Sequence, residues 1–298
     1  MTASESNHEP GPAGCAPAIV VAVLAHNEER RIAACLASLP LGEPGIAVHV
    51  VVNGSSDRTA QIARDVGQGR ITVHDWAQGG KSRSWNRFMF DTPGVEGDCF
   101  VFVDGDAVVT PGSIAALAAA LAADPQANAA AGLPCNGRRA ESYRAQMIAG
   151  RGLFGDLYAL SGDFVSRLRA SGIRLPEDLI GDDSLVGALA KTNLANEDDW
   201  RDERVVPVPQ AGFLCEPARL SSPASLRLQY RRMINYAVRG FQNRIVSAIM
   251  RGEGPQGLPR RMADLYPEWL GRFTPRRHPV WWWFDRQALA RMRAACAA

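Results

Sequence analysis

Residues 18–25 read AIVVAVLA, an unbroken apolar run of strand length, and runs at 46–52 (IAVHVVV) and 99–103 (CFVFV) share its character. A strand that is apolar on both sides has to be covered on both sides. The intervals between the runs carry helical patterns. Ile32, Cys35, Leu36 and Leu39 fall at i, i+3, i+4 and i+7, and Pro40 stops them. A turn at Asn53-Gly54, a short helix near 57–66, a strand at 71–74 and a helix near 81–90 fill the rest. Apolar strands alternating with amphipathic helices specify an α/β fold, a Rossmann-like, mostly parallel central sheet flanked by helices. Ligands of such sheets bind beyond the C-terminal strand ends, so the residues that follow each run matter most.

The second half is less regular. It predicts a helix at 111–123, a strand near 127–133 and an apolar piece at 157–160 leading into Ser161-Gly162-Asp163 and another helix. Pro176 precedes Asp182-Asp183 and a helix to about 190; strands are expected at 204–208 and 211–215, then a long helix over about 222–250. Gly252 to Pro259 reads as a linker, and 264–298 as an aromatic, basic tail. Residues 1–17, rich in Pro, Gly, Ser and Glu, read as a disordered tail rather than a signal peptide. No apolar run approaches the roughly 20 residues needed to cross a bilayer.

Charge is unevenly spread. The chain's net charge is +2, yet from residue 220 onward 14 arginines and no lysine face only Glu253, Asp264, Glu268 and Asp285. Such a split points to an anionic partner (a phosphate-bearing ligand, a membrane surface or a nucleic acid) or to a solvated arginine-rich face. The six cysteines are scattered without metal-ligand spacing, which fits a reducing compartment. A cytoplasmic protein is expected, able to sit peripherally on the inner face of a membrane.

The most informative segment is Phe100-Val101-Phe102-Val103-Asp104-Gly105-Asp106. An apolar strand here ends by presenting two carboxylates two positions apart, which repel unless a cation lies between them. A divalent ion held there can also bind a diphosphate and take up its charge as it leaves. The alternative is a simple Asp-Gly turn.

Set in order along the chain, the polar pieces resemble a family-2 glycosyltransferase of the GT-A fold over roughly residues 18–240. Leu24-Ala25-His26-Asn27-Glu28-Glu29 resembles that family's opening strand and Asn-Glu turn. Val50-Val51-Val52-Asn53-Gly54-Ser55-Ser56-Asp57-Arg58-Thr59 resembles its second strand and turn, and Gly80-Lys81 with Asn86 its Gly-Lys…Asn stretch. Asp104-Gly105-Asp106 falls on the DxD motif, Ser161-Gly162 on an acceptor-side Ser-Gly, and Asp182-Asp183 on the Glu-Asp position. The resemblance implies a catalytic domain over 18–220, with a nucleotide-binding half to about 110 and an acceptor half after it. Residues 221–298 would be a basic helical extension.

It further implies an inverting, metal-dependent transfer from a nucleotide-sugar donor, with Mn2+ or Mg2+ on Asp104 and Asp106. Asp183 is then the base and Asp182 its neighbour, a like-charged pair that suits proton abstraction; a double helix N-cap is the alternative. The donor would meet His26, Asn27, Glu28, Asn53, Lys81, Asp104 and Arg232. Glu29 and Asp57 are expected chiefly to cap helices, and Trp85 to pack. Asn53 stands where the family often has an aspartate that contacts the base; uracil is the base expected first, and the change to an amide leaves the preference open. Gln229-Tyr230-Arg231-Arg232-Met233 resembles a Gln-x-x-Arg-Trp motif of processive synthases with Met233 in place of tryptophan. That departure favours a non-processive enzyme.

The acceptor would be a saccharide, a lipid-linked sugar or a small molecule; no nucleic acid is expected, and oligomeric state stays open. Arg276-Arg277 and Trp281-Trp282-Trp283 fit a bilayer headgroup layer first, and a lid or a dimer contact as alternatives. Two other functions compete. A nucleotidyltransferase would want a glycine-rich basic loop after the first strand, where this chain has His26-Asn27-Glu28-Glu29. A catalytically silent membrane- or partner-binding module would not need intact carboxylates at both motifs.

Overall fold

The structure, a computed structural model, describes residues 18–137, 139–216 and 223–296. The expected tail over 1–17 and the expected domain boundary at 220–221 lie outside these residues. Strands β1 (Ile19–Ala25), β2 (Ile46–Asn53), β3 (Thr72–Trp76) and β4 (Cys99–Asp104) are parallel to one another. The sheet is completed by β5 (Ala107–Val109), β6 (Ala129–Pro134), β7 (Leu157–Ser161) and β8 (Val205–Cys215). Its order is β3-β2-β1-β4-β7-β6-β8-β5, with β7 antiparallel to β4 and β6, β5 antiparallel to β8, and β6 parallel to β8.

Period-2 alternation explains the unbroken apolar runs. Val20, Ala22 and Leu24 of β1 enter one core, and Val21, Val23 and Ala25 enter the other. Helices α1 (Ile32–Ala37), α2 (Thr59–Gly67) and α4 (Ser113–Ala123) cover the second face. The first face takes α3 (Lys81–Asn86), α5 (Ala140–Gly150), α6 (Gly162–Ser171), α7 (Asp182–Lys191) and α8 (Pro223–Arg251). The short α9 (Tyr266–Trp269) and α10 (Pro279–Ala295) pack onto the same face. Trp85 is fully buried beneath it, stacked on Phe102 and donating its indole N–H to the Tyr158 hydroxyl at 2.9 Å. Packing is thus its role, as expected.

Two segments differ from the sequence reading. The expected strands at 204–208 and 211–215 are one strand, β8, because the pairing of β6 jumps from Ala131↔Pro207 to Leu133↔Gly212. Pro209 falls in that irregular stretch, where no ladder N–H is required of it. α5 went unread because Met147 is its one buried residue, so it carries no apolar stripe. The expected helical extension is present: Trp281, Trp282 and Trp283 lie in α10, which packs on α8 through Phe284 and Tyr230.

One titratable pair bridges β2 and β3. The rings of His49 and His74 stack with centroids 5.3 Å apart, and His49 Nδ1 lies 3.0 Å from His74 Nε2. That contact needs one ring to accept, so it fails once both are protonated. Burial, with the neighbouring His74 second, lowers the His49 pKa to about 4. Its folded value is below that of the unfolded chain, so its contribution to stability is complete above a pH of about 6.5 and is lost as pH falls toward the folded value. The melting temperature of the wild type should therefore fall more steeply over that window than that of His49→Phe; parallel curves would contradict the assignment.

Candidate active site

The parallel register brings the functional residues to one edge. Leu24 pairs with both Val51 and Asp104, and Asn53 with Trp76, so the loops after β1, β2, β3 and β4 emerge side by side. They border a cleft of about 650 Å³, whose other wall is the 177–182 segment leading into α7. From the expected set His26, Glu28, Asn53, Lys81, Asp104, Asp106 and Asp182 line it.

Carboxylates gather here. Oxygens of Asp104, Asp106 and Asp156 lie within 4.8 Å of one another, a cluster able to hold a metal ion. At that spacing each pair of charges repels by about 3 kcal/mol for an effective dielectric constant of roughly 20. Three such terms rival the stability of a whole domain, about 5–15 kcal/mol, so the cluster either takes up protons or gains cations. Lys81 supplies one: its Nζ lies 2.6 Å from Asp104 Oδ1 and 3.6 Å from Asp182 Oδ1. Arg31 approaches Asp106 at 3.5 Å while holding Glu28 at 2.6 Å. Neutralisation is incomplete. Burial foremost drives the Asp104 pKa well up, with Asp156 and Asp182 adding to it against Lys81. Burial likewise raises Asp156, whose Oδ1 accepts the Cys215 thiol at 3.1 Å. For Lys81, burial works against the charge, but Asp104 and Asp182 outweigh it and keep the ammonium charged.

Close packing fixes these positions. A Cβ on Gly105 would stand 2.8 Å from Ala25 Cβ, so only glycine lets the Asp104–Asp106 turn lie against β1. A Cβ on Gly155 would stand 2.9 Å from Lys81 Nζ, closing the space the ammonium occupies. Asp156, next in sequence, is drawn to the site because β7 is antiparallel to β4, and its carbonyl accepts the Asp104 N–H at 3.4 Å. The same geometry corrects the Ser161-Gly162 expectation. Ser161 pairs with Cys99, at the far end of β4 from Asp104, and its hydroxyl caps α6 by accepting Phe164 N–H at 3.2 Å.

The loops after β1 and β2 are stitched together. His26 Nδ1 donates to the Asn53 carbonyl at 2.7 Å, leaving Nε2 to accept from Asn27 Nδ2 at 3.1 Å. Asn27, with φ of 56°, accepts Ser56 N–H at 2.9 Å and is not among the residues lining the cleft. Asp57 is spent on the Glu29 and Thr59 backbone N–H groups, at 3.1 and 3.0 Å, so it ties the two loops together, while the N-cap position of α2 is Arg58, without a side-chain bond. The buried Asn53 amide donates to Ala25 O at 3.0 Å and accepts Gly80 N–H at 3.3 Å. A carboxylate could not make the first of these bonds, which gives Asn53 a structural reason.

The acid loop is held from behind by the C-terminal segment. Asp178 accepts backbone N–H groups of Met262 and Ala263 at 2.6 and 3.1 Å. Buried Gln242 accepts Ile180 N–H at 2.8 Å and donates to Asp178 O at 3.1 Å and to the Tyr266 hydroxyl at 2.8 Å. Arg239 Nη2 donates to both oxygens of Asp183, at 3.0 and 3.2 Å. Asp183 is not among the cleft-lining residues, whereas Asp182 is, 3% exposed and with Oδ2 lacking any hydrogen-bond partner among the described residues. Arg232 does not line the cleft; Asn235 and Arg291 do, from α8 and α10. Asn86 serves the loop instead, bonded to both backbone groups of Leu175 at 2.7 and 2.9 Å. Sequence reading missed Asp156, Arg239 and Gln242; a Gly-Asp pair before an apolar run was the signal available for the first.

Residues 20–172 match the family described as Glycosyl transferase family 2. Protein RfbJ of Shigella flexneri is 34% identical over 88 residues, which span 30% of this chain and 64% of that protein. The fold is similar to that of the mannosyltransferase PcManGT from Pyrobaculum calidifontis, solved with GDP-Man and Mn2+, with a TM-score of 0.57 and 19% identity over 94% of this chain and 86% of that one. It is also similar to glucosyl-3-phosphoglycerate synthase from Mycobacterium tuberculosis, solved with Mn2+, UDP-glucose and phosphoglyceric acid, with a TM-score of 0.53 and 19% identity over 85% of this chain and 86% of that one. The chain belongs to glycosyl transferase family 2.

Proposed function

We propose that this family-2 glycosyltransferase moves a single sugar from a nucleotide-sugar, UDP-linked as first expectation, to an acceptor hydroxyl with inversion at the anomeric carbon. The observation that carries the reading is the meeting of Asp104, Asp106 and Asp156 with Lys81 beyond the parallel strand ends. A divalent ion, Mn2+ or Mg2+, would be held by these three carboxylates and supply positive charge to a diphosphate and to its departure. Lys81 is suited to follow the diphosphate, since its ammonium already spans the metal-competent Asp104 and the acid Asp182. His26, Glu28 and Asn53 border the cleft where base and ribose would lie.

Transfer needs a carboxylate to take the acceptor's proton while its oxygen attacks and the nucleoside diphosphate leaves with the bonding electrons. Sequence resemblance gives this task to Asp183. The geometry favours Asp182, which lines the cleft and keeps one buried oxygen without a hydrogen-bond partner among the described residues, while both Asp183 oxygens are engaged by Arg239. Asp183 and Arg239 then position the start of α7. Met233 in place of tryptophan supports single-residue transfer to a saccharide, lipid-linked or small-molecule acceptor.

A peripheral membrane station is supported by the exposed Leu226, Leu228, Tyr230, Val280, Trp282 and Trp283 on the packed α8–α10 pair, set among arginines. No helix among the described residues is long and apolar enough to cross a membrane. Removing residues 276–298 should abolish sedimentation with anionic vesicles; unchanged sedimentation would refute this station.

Asp156→Asn should weaken manganese-dependent binding of a nucleoside diphosphate, and unchanged binding would remove Asp156 from the site. Asp182→Asn should keep that binding yet slow transfer by about 100-fold or more, with a smaller loss for Asp183→Asn. An active Asp182→Asn beside an inactive Asp183→Asn would return the role of base to Asp183.

A further inference from the structure

We propose that a second cleft, behind the acid loop, is a binding site for a phosphate-bearing dianion. It encloses about 630 Å³ between α3, the 172–177 segment and the 255–260 segment. Arg83, Arg87, Arg174 and Arg260 line it against two carboxylates, Asp91 and Glu177. Such a surplus of guanidinium in a concave site attracts a doubly charged ligand, and guanidinium forks match phosphate oxygens in pairs.

The four arginines are held to different degrees. Arg174 is committed, donating to both oxygens of Asp91 at 2.6 and 2.8 Å with its guanidinium over the Phe90 ring. Arg87 has no ion pair among the described residues; its guanidinium lies 4.4 Å above the Trp76 ring centroid, a stack that orients it while leaving its N–H edge for a ligand. Glu177 takes one Nε–H from each of Arg83 and Arg260, at 2.9 and 2.8 Å. Neither terminal nitrogen of Arg260 has a hydrogen-bond partner among the described residues, on a side chain 84% exposed. A phosphate seated between Arg87 and Arg260 would meet donors from two elements. Glu177 also borders the first cleft, so the occupant would touch the loop that ends in Asp182.

This inference stands on the second cleft alone, and its test uses neither metal nor sugar donor, so its failure leaves the glycosyl-transfer reading intact. Calorimetry on metal-free protein should give saturable one-to-one binding of inorganic phosphate or glycerol 3-phosphate, the tighter of the two separating free phosphate from a phosphate ester. The double variant Arg87→Ala/Arg260→Ala should bind roughly tenfold more weakly or worse. Glu177→Gln, which removes the competing carboxylate, should bind more tightly, and Lys81→Ala in the first cleft should bind as the wild type does. Absence of saturable binding, or binding lost with Lys81→Ala and kept in the folded double arginine variant, would overturn the proposal.

Discussion

Lys81 and Asp104 form the contact on which the charge arrangement of the cleft depends. Like-charged carboxylates are brought together where four parallel strands end, and burial makes their mutual repulsion costly. The ammonium of Lys81 offsets part of that cost and ties the metal-competent cluster to Asp182. Incomplete neutralisation leaves the site short of positive charge, which is the electrostatic condition for taking up a divalent ion together with a diphosphate. Such an arrangement is poor for stability; on the proposed reading, the bound ion and Lys81 would together meet the charge that moves onto the leaving group.

The fold holds this strained collection from both sides. In front, the βα loops bind one another through backbone groups and through His26, Asn27, Asn53 and Asp57, so that the walls of the cleft are set before any ligand arrives. Behind, α8, α9 and the 260–264 segment fasten the acid loop through Arg239, Gln242 and Asp178. The C-terminal segment is thus a working part of the cleft. Arg291 from α10 reaches its border, while the exposed Trp282 and Trp283 lie away from it, and the tail meets the cleft by that route rather than as an aromatic lid.

Much of this was legible in the chain. Unbroken apolar runs dictated a sheet covered on both faces, and their polar endings marked His26, Asn53 and Asp104, because strand ends are where side chains escape the core. What could not be read depended on pairings distant in sequence. Asp156 joins the site only because β7 runs antiparallel to β4, a direction that no local pattern encodes. The same reversal carries Ser161 and Gly162 away from it. The choice between Asp182 and Asp183 rests on an arginine more than fifty residues further along a helix whose periodicity shows only its apolar stripe. Arg232 sat in the recognisable motif, yet Arg239 makes the contact.

The central claim, that the carboxylate cluster is a divalent-ion site, has a direct measurement. Crystals of the full chain soaked with manganese and a nucleoside diphosphate can be read by anomalous scattering at the manganese edge. The account predicts one strong peak among the carboxylates of Asp104, Asp106 and Asp156, with Lys81 moved off Asp104 toward the diphosphate. A map with no peak there, or with manganese elsewhere while Lys81 keeps its place on Asp104, would contradict it.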